Sequence, residues 1–350
     1  GSQDLTAKGI RNRADTLMVV SLDPTTKQVG VLSIPRDSRV EIPGVGLTKV
    51  AECSFFGGPT TCVQVVENLL HVPIDYYAFL GMFQLPKLVD DLGGLTLDIP
   101  QTEQYEAGQP LGINLPQGVH HLDGQQVLEF VRFRSTSEGD ISRIQQQQEV
   151  VRALVAKLLR PSEIPKWPTI ARDALQAVSS TNLSLNQLLA LGLAARQIPL
   201  SAMRYGTLPG HGSVHLDPYA HQRLDYWSLD PRLIPVLVQD VLLGQPLTQQ
   251  ARQALKVEVV SGTASLAPAQ SYADWLRQQG YDVVGVGWAN HATHRRSQIT
   301  NTTGDRNLGP TLAQPLGPTV ETFTPYHTAA WDIRVLVGAD YHPASTPSAS

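Results

Sequence analysis

The sequence has few cysteines, no surplus of positive charge and no long apolar run. Its formal net charge is -4 and its pI is near 6.2. A DNA or RNA face is usually strongly basic, so nucleic acid is excluded as the main partner. No stretch approaches the ~18 consecutive apolar residues of a membrane span, and no secretory leader is present. An upstream anchor would leave no trace in this sequence. Only Cys53 and Cys62 occur, flanking Phe55-Phe56-Gly57-Gly58-Pro59, and no histidine lies near them. That is too few ligands for a zinc site. Two buried thiols are one reading. A disulfide is the favoured one, and would place the protein outside the cytoplasm.

The charge that is present is clustered. Arginines and aspartates recur together in Arg11-Asn12-Arg13-Ala14-Asp15, Pro35-Arg36-Asp37, Arg132-Phe133-Arg134 and Asp140-Ile141-Ser142-Arg143. A guanidinium presents a fixed fork of donors that matches phosphate oxygens. Arginines beside a few carboxylates therefore point to a phosphorylated ligand, with a divalent metal on the carboxylates. Any one cluster alone is equally a surface ion pair, which contributes little.

At 350 residues the chain exceeds one ordinary core of about 250–300, so two domains are expected. Apolar runs predict strands at Thr16–Leu22, Val29–Ile34, Asp75–Leu80 and Leu95–Ile99. Apolar spacing predicts helices over Cys62–Leu70, Phe83–Leu92, Asp123–Phe130, Ile141–Leu159, Ile170–Val178, Ser184–Ala195 and Pro231–Leu243. Met203–Leu208 reads as a returning strand, and Gly244–Gln253 as a linker. The pattern restarts with strands Val257–Ser261, Tyr281–Val286 and Ile333–Val337 and helix Ala269–Gln279. The fold class is α/β: a central mixed sheet flanked by helices, plus a smaller α/β C-terminal domain. His342–Ser350 reads as a disordered tail.

Arg13 and Asp15 precede one strand, and Arg36 and Asp37 follow the next. Antiparallel pairing would bring them together at a sheet edge, where ligand groups concentrate. Arg132 and Arg134 would point the same way in an extended segment. Arg143 and Gln147 share a helix face, with Asp140 at that helix's start. His120-His121 reads as a loop. His211, His215 and His221 match no standard zinc spacing. His291, His294, Arg295 and Arg296 read as a solvated basic loop or a contact for anionic wall polymer.

Together, RADT, SIPRD, the Lys49 segment ending in Gly57-Gly58-Pro59, IDYY, DDLGGLTLDIP, LDGQQVLEFVRFR and GDISRIQQQQ resemble the LytR-CpsA-Psr family, over about residues 4–160. Lys49-Val50-Ala51 departs from that family's KIN-like run. Lys256–Asp340, with VEVVSGT and GYDVVGVG, is similar to the LytR C-terminal domain. The resemblance implies a catalytic part over 1–243, a linker over 244–255 and the C-terminal domain over 256–341. It implies an extracytoplasmic enzyme at the bacterial cell envelope, held by an upstream membrane anchor. That enzyme would move a glycopolymer from a polyprenyl-pyrophosphate carrier to peptidoglycan, forming a phosphodiester with magnesium present. Arg13, Arg36, Arg132, Arg134 and Arg143 match the family's pyrophosphate contacts, and Gln147 their polar partner. Asp4 and Asp15 match magnesium-linked aspartates, and Lys49 and Asp140 further functional positions. Asp15 or Asp37 would accept the attacking hydroxyl's proton. The isoprenoid tail would lie in an apolar tunnel lined by Phe79, Phe83 and Leu154. A lipid-pyrophosphate hydrolase and a non-catalytic polyprenyl-phosphate or wall-polymer binder are the alternatives. The small domain, lacking these motifs, is expected to be an independently folded module dispensable for the chemistry.

Overall fold

The computed structural model describes residues 13–80, 84–104, 113–133, 140–290, 294–317, 319–326 and 330–341. Asp4, Phe83, Arg134, His291 and the 342–350 tail lie outside the described residues.

The central sheet is mixed, as the interleaved strands and helices implied. Strand Gln28–Ile34 is its middle member, antiparallel to Leu17–Asp23 and parallel to Met203–Thr207. Val31, Leu32 and Ile34 are fully buried there because both faces are covered. On one face Val29 and Val31 meet Val151 and Val155 of helix Asp140–Leu158. On the other, Leu32 and Ile34 join Val65 and Leu70 of helix Cys53–Leu70. That second helix kinks at Gly58, whose φ of 70° favours glycine, directly before Pro59. The Cys53–Cys62 disulfide spans the kink, with its Cα atoms 5.0 Å apart.

Several helix starts follow from side-chain caps. Asp123 and Ser184 each form a capping box, with Gln126 and Gln187 respectively. Helix Gly124–Arg132 runs two residues past the expected end, because Val127, Leu128, Phe130 and Val131 are all buried. Arg132 is thus the last residue of a helix, and the extended Arg132–Arg134 segment is corrected at its first residue. His120 and His121 lie on strand Gly118–Leu122, paired with Leu95–Ile99, rather than in a loop. Pro231–Leu243 is shorter and irregular, with one α turn at Ile234–Leu237 followed by a π turn at Val238–Leu242.

The smaller unit is a five-stranded sheet in the order Asp282–Trp288, Lys256–Ser261, Ile333–Val337, Gln298–Asn301, Val320–Phe323. Its first three strands are parallel, and helix Ala267–Gln278 is the connection between the first two in sequence. The stretch read as a linker carries helix Gln249–Ala254, capped by Thr248. Leu255 beyond it is fully buried. One continuous apolar core runs from Leu32, Val65 and Leu237 to Val257, Tyr272 and Ile333. Arg232 pairs with the fully buried Asp332 at 3.1 Å and donates to Ala254 O at 3.0 Å. Thr207 N donates to Gly304 O at 2.8 Å, and Arg306 N to Tyr205 O at 3.2 Å.

Two outcomes follow. Reducing Cys53–Cys62 should lower unfolding stability by roughly 2–3 kcal/mol, read from denaturant melts with and without reductant; superimposable melts would deny the bond a structural role. Deletion after Leu243 exposes one side of the shared core and leaves Arg232 without Asp332. The truncated chain should melt well below the full chain, and an unchanged melting temperature would mean that the parts fold independently.

Candidate active site

The site forms where strand Gln28–Ile34 ends. The Leu17↔Ile34 register sets residues before the first strand against residues after the second. Arg36 Nη1 donates to Asp15 Oδ1, joining the two clusters as their placement suggested. Arg36 Nε also faces Asp37 Oδ2 at 3.9 Å and has no hydrogen-bond partner among the described residues. Lys49 ends the hairpin Arg39–Ile42/Gly46–Lys49, and its Nζ donates to Asp37 Oδ1 at 2.6 Å. Arg13 Nε meets Glu52 Oε1 at 2.7 Å. Backbone bonds fix the frame: Ala14 N to Ala51 O and Ala51 N to Arg36 O, both at 3.1 Å, and Val50 N to Ser38 O at 2.8 Å. A cleft of about 190 Å³ results, lined by Arg13, Arg36, Lys49, Ala51, Glu52, Ala220, Gln222 and Leu224. Three cations thus face one opening, each backed by a carboxylate. Such a cradle suits a multiply charged anion such as a pyrophosphate.

The far wall was not anticipated. It comes from the hairpin Gly210–Leu216/Arg223–Leu229 and its tip. Asp217, almost fully buried, organises that tip. It accepts from Thr48 Oγ1 at 2.7 Å, Tyr226 Oη at 2.5 Å, Tyr219 N at 2.9 Å and Ala220 N at 2.5 Å. Burial alone would raise its carboxyl. The Ala220 N–H, the Tyr226 and Thr48 hydroxyls and the Tyr219 N–H outweigh burial and hold it at about 2. The Tyr226 ring lies 5.7 Å from Lys49 Nζ. Tyr219 packs edge-on to Phe56 at 4.8 Å, tying the tip to the disulfide-braced turn. Trp227 N donates to Asp37 O at 2.8 Å.

The remaining expected residues fall on neighbouring elements. Gln148 Nε2 donates to Ser33 Oγ and Gly206 O, both at 2.9 Å, pinning helix Asp140–Leu158 over the strand ends. That helix runs opposite to the strand, since Val151 and Val155 pack further down it. Arg143, five residues before Gln148 on the same helix and so about 7.5 Å from it along the axis, is buried beyond the strand end. Gln147 is half-buried on this helix, and Asp140 is its first residue. Gln146 donates to Glu103 Oε1 at 2.5 Å; burial pushes the Glu103 carboxyl up to about 7, partly offset by this bond. Arg132 is exposed, and neither it nor Gln147 lines the cleft. Phe79 and Leu154 are partly buried against two different apolar clusters. Asp15 is tied to Arg36, and no group of three His, Cys, Asp or Glu converges among the described residues. The described residues thus supply one of the two expected metal ligands and no complete metal site. His211 and His215 lie on a strand and His221 in the tip.

Asp217 gives a pH-dependent outcome. Its folded value lies below its ordinary value of 3.8, so the stability it contributes is present above 3.8 and lost as pH falls towards about 2. Asp217→Asn should remove about 2–3 kcal/mol at neutral pH and flatten that acid limb. Urea midpoints across pH 2–7 check this; an unchanged acid limb would deny the buried charge its role.

The geometry can be set beside known proteins. The LytR_cpsA_psr family profile matches residues 1–230, and the profile described as LytR cell envelope-related transcriptional attenuator matches 254–341. A protein named polyisoprenyl-teichoic acid–peptidoglycan teichoic acid transferase TagV, from Bacillus subtilis, is 33% identical over 204 residues, covering 57% of this chain and 51% of the relative. One named TagU, with the same activity in its name, from Oceanobacillus iheyensis, is 35% identical over 187 residues, covering 51% of this chain and 57% of the relative. The chain thus spans about half the length of the curated relatives it matches. The crystal structure of B. subtilis TagV superposes with TM-score 0.59 at 28% identity, covering 70% of this chain and 95% of that one. A structure of TagT bound to LIIa-WTA superposes with TM-score 0.52 at 26% identity, covering 66% and 86%. No described helix is long and apolar enough to cross a membrane. The chain belongs to the LytR_cpsA_psr family, with a LytR_C domain following the family's α/β core.

Proposed function

We propose that this chain is the catalytic part of a cell-envelope phosphotransferase. It moves a glycopolymer from a polyprenyl-pyrophosphate carrier to a peptidoglycan hydroxyl and leaves a phosphodiester. The observation that carries the reading is the convergence of Arg13, Arg36 and Lys49, each backed by a carboxylate, in one cleft. In the proposed step the acceptor hydroxyl attacks the sugar-proximal phosphorus. The bond from that phosphorus to the bridging oxygen breaks, and polyprenyl monophosphate leaves. Asp15 or Asp37 takes the hydroxyl proton. Arg36 and Lys49 lie within reach of both carboxylates' side of the cleft and would spread the charge that builds on the bridging oxygen. Arg143, buried on the helix that Gln148 pins over the strand ends, would hold a further phosphate oxygen, whereas Arg132 stands outside this cleft and has no part in the step. A magnesium ion shared by Asp4 and Asp15 belongs to the proposal, and would supply further charge neutralisation.

Helix Leu185–Ala195 supports the lipid end of this reading. It reads LNQLLALGLAA, yet none of its residues is buried. So apolar a helix left half-covered suits a chain-like apolar ligand. The Cys53–Cys62 disulfide supports an extracytoplasmic setting. The names of the TagV and TagU relatives support a teichoic-acid-like donor.

Incubation with a lipid-linked oligosaccharide and soluble peptidoglycan fragments, followed by mass spectrometry, tests the reading. The joined phosphodiester product is expected. Asp15→Asn and Asp37→Asn should fold normally, and the one that removes the proton acceptor should slow turnover by about 10²–10⁴-fold. Free sugar phosphate with no joined product would make the chain a hydrolase, and no turnover would make it a binder.

A further inference from the structure

The smaller unit carries a basic edge that the transfer chemistry does not use. Strands Lys256–Ser261, Asp282–Trp288 and Ile333–Val337 run parallel, so their carboxyl ends lie together. Residues 294–297 are laid across those ends. His294 N donates to Gly262 O at 2.8 Å, Ala339 N to His294 O at 3.0 Å, and Asp340 N to Arg295 O at 3.1 Å. Ser297 N bonds both carboxylate oxygens of Asp340, at 3.0 and 3.1 Å. The backbone under Arg295 and Arg296 is therefore fixed, while both side chains are exposed. Trp288 ends its strand at the same edge and is 51% exposed. Ala289 N, next to it, donates to Ser261 O at 2.9 Å.

The other arginines of this unit are engaged. Arg277 pairs with Asp274 at 2.8 Å and Arg334 with Glu258 at 2.9 Å. Arg306 lies over the Phe323 ring at 4.8 Å. The carboxylate of Asp340, whose N–H bonds Arg295 O, is taken up by the N–H and hydroxyl of Ser297. Arg295 and Arg296 have no ion-pair partner among the described residues.

We propose that this edge is a docking surface for a phosphodiester-linked glycan, separate from the cleft of the main body. Neighbouring guanidinium groups match phosphate oxygens. The exposed indole offers a flat apolar face to the C–H side of a sugar ring. Single exposed charge contacts are weak, and these side chains stand on an open edge rather than in a cleft. A repeating anion that engages several such contacts at once gains what a single small anion does not. With a net charge of -4 on the whole chain, attraction for a polyanion is local to cationic patches such as this edge and the main-body cleft.

The test uses the full chain and lipid-free poly(glycerol phosphate) with its glycosylated form, immobilised as a binding probe. Dextran serves as the neutral control and phosphatidylglycerol vesicles as the lipid control. Arg295→Ala/Arg296→Ala should weaken polymer binding about tenfold, with an unchanged melting temperature. Arg295→Lys/Arg296→Lys should retain most of it, because the charge remains. Trp288→Ala should reduce affinity for the glycosylated polymer more than for the bare one. Arg36→Ala should change polymer binding less than about twofold, since the probe has no pyrophosphate. The proposal is overturned if the wild-type chain does not bind the polymer, or if the double alanine variant binds unchanged. It is also overturned if Arg36→Ala alone abolishes binding, or if vesicles outcompete the polymer at equal phosphate.

Discussion

Arg36 is held between Asp15 and Asp37 at the end of a buried strand, and the rest of the site is arranged around that contact. A guanidinium cannot lose its charge, so its position decides where an anion can sit. The strand that delivers it is fixed on both faces, by helix Asp140–Leu158 on one side and helix Cys53–Leu70 on the other. The hairpin register brings Asp15 to it, and the Arg39–Lys49 hairpin brings Lys49 to Asp37. Asp217 then clamps the Lys49 hairpin to the opposite wall through Thr48.

The Arg36, Asp15, Asp37 and Lys49 side chains are 20–31% exposed, so their ion pairs contribute modestly to stability. Their larger effect is preorganisation. Held by carboxylates, the cations keep fixed positions that a pyrophosphate can meet without further ordering of side chains. The disulfide and the Phe56–Tyr219 contact act in the same direction, by limiting how far the two walls can separate.

Much of this was legible in the residues. The apolar runs around Val20 and Leu32 marked two strands, and the antiparallel register then paired Asp15 with Arg36. Asp123 and Ser184 marked helix starts through their short-range caps. The far wall was not legible. GHGSVHL and RLDYWSL carry glycine, histidine and charge where a strand signal needs alternating apolar residues. The Thr48–Asp217 bond joins positions 169 apart, and no local pattern announces such a contact. Arg132 was misplaced because alternate spacing looks the same on paper in a strand and at a helix end; burial of Phe130 and Val131 decided for the helix. The helix at Gln249–Ala254 is six residues long, too short for its spacing to stand out between Gly244 and Leu255.

The central claim is that the Arg36 cleft recognises a pyrophosphate on an isoprenoid. Calorimetric titration of the full chain with geranyl pyrophosphate, geranyl monophosphate and geraniol tests it most directly. Affinity should fall in that order and weaken with added salt. Arg36→Ala should cost the pyrophosphate roughly 1.5–3 kcal/mol while leaving geraniol unaffected. Equal binding of geraniol and geranyl pyrophosphate, or full pyrophosphate affinity in Arg36→Ala, would contradict the account.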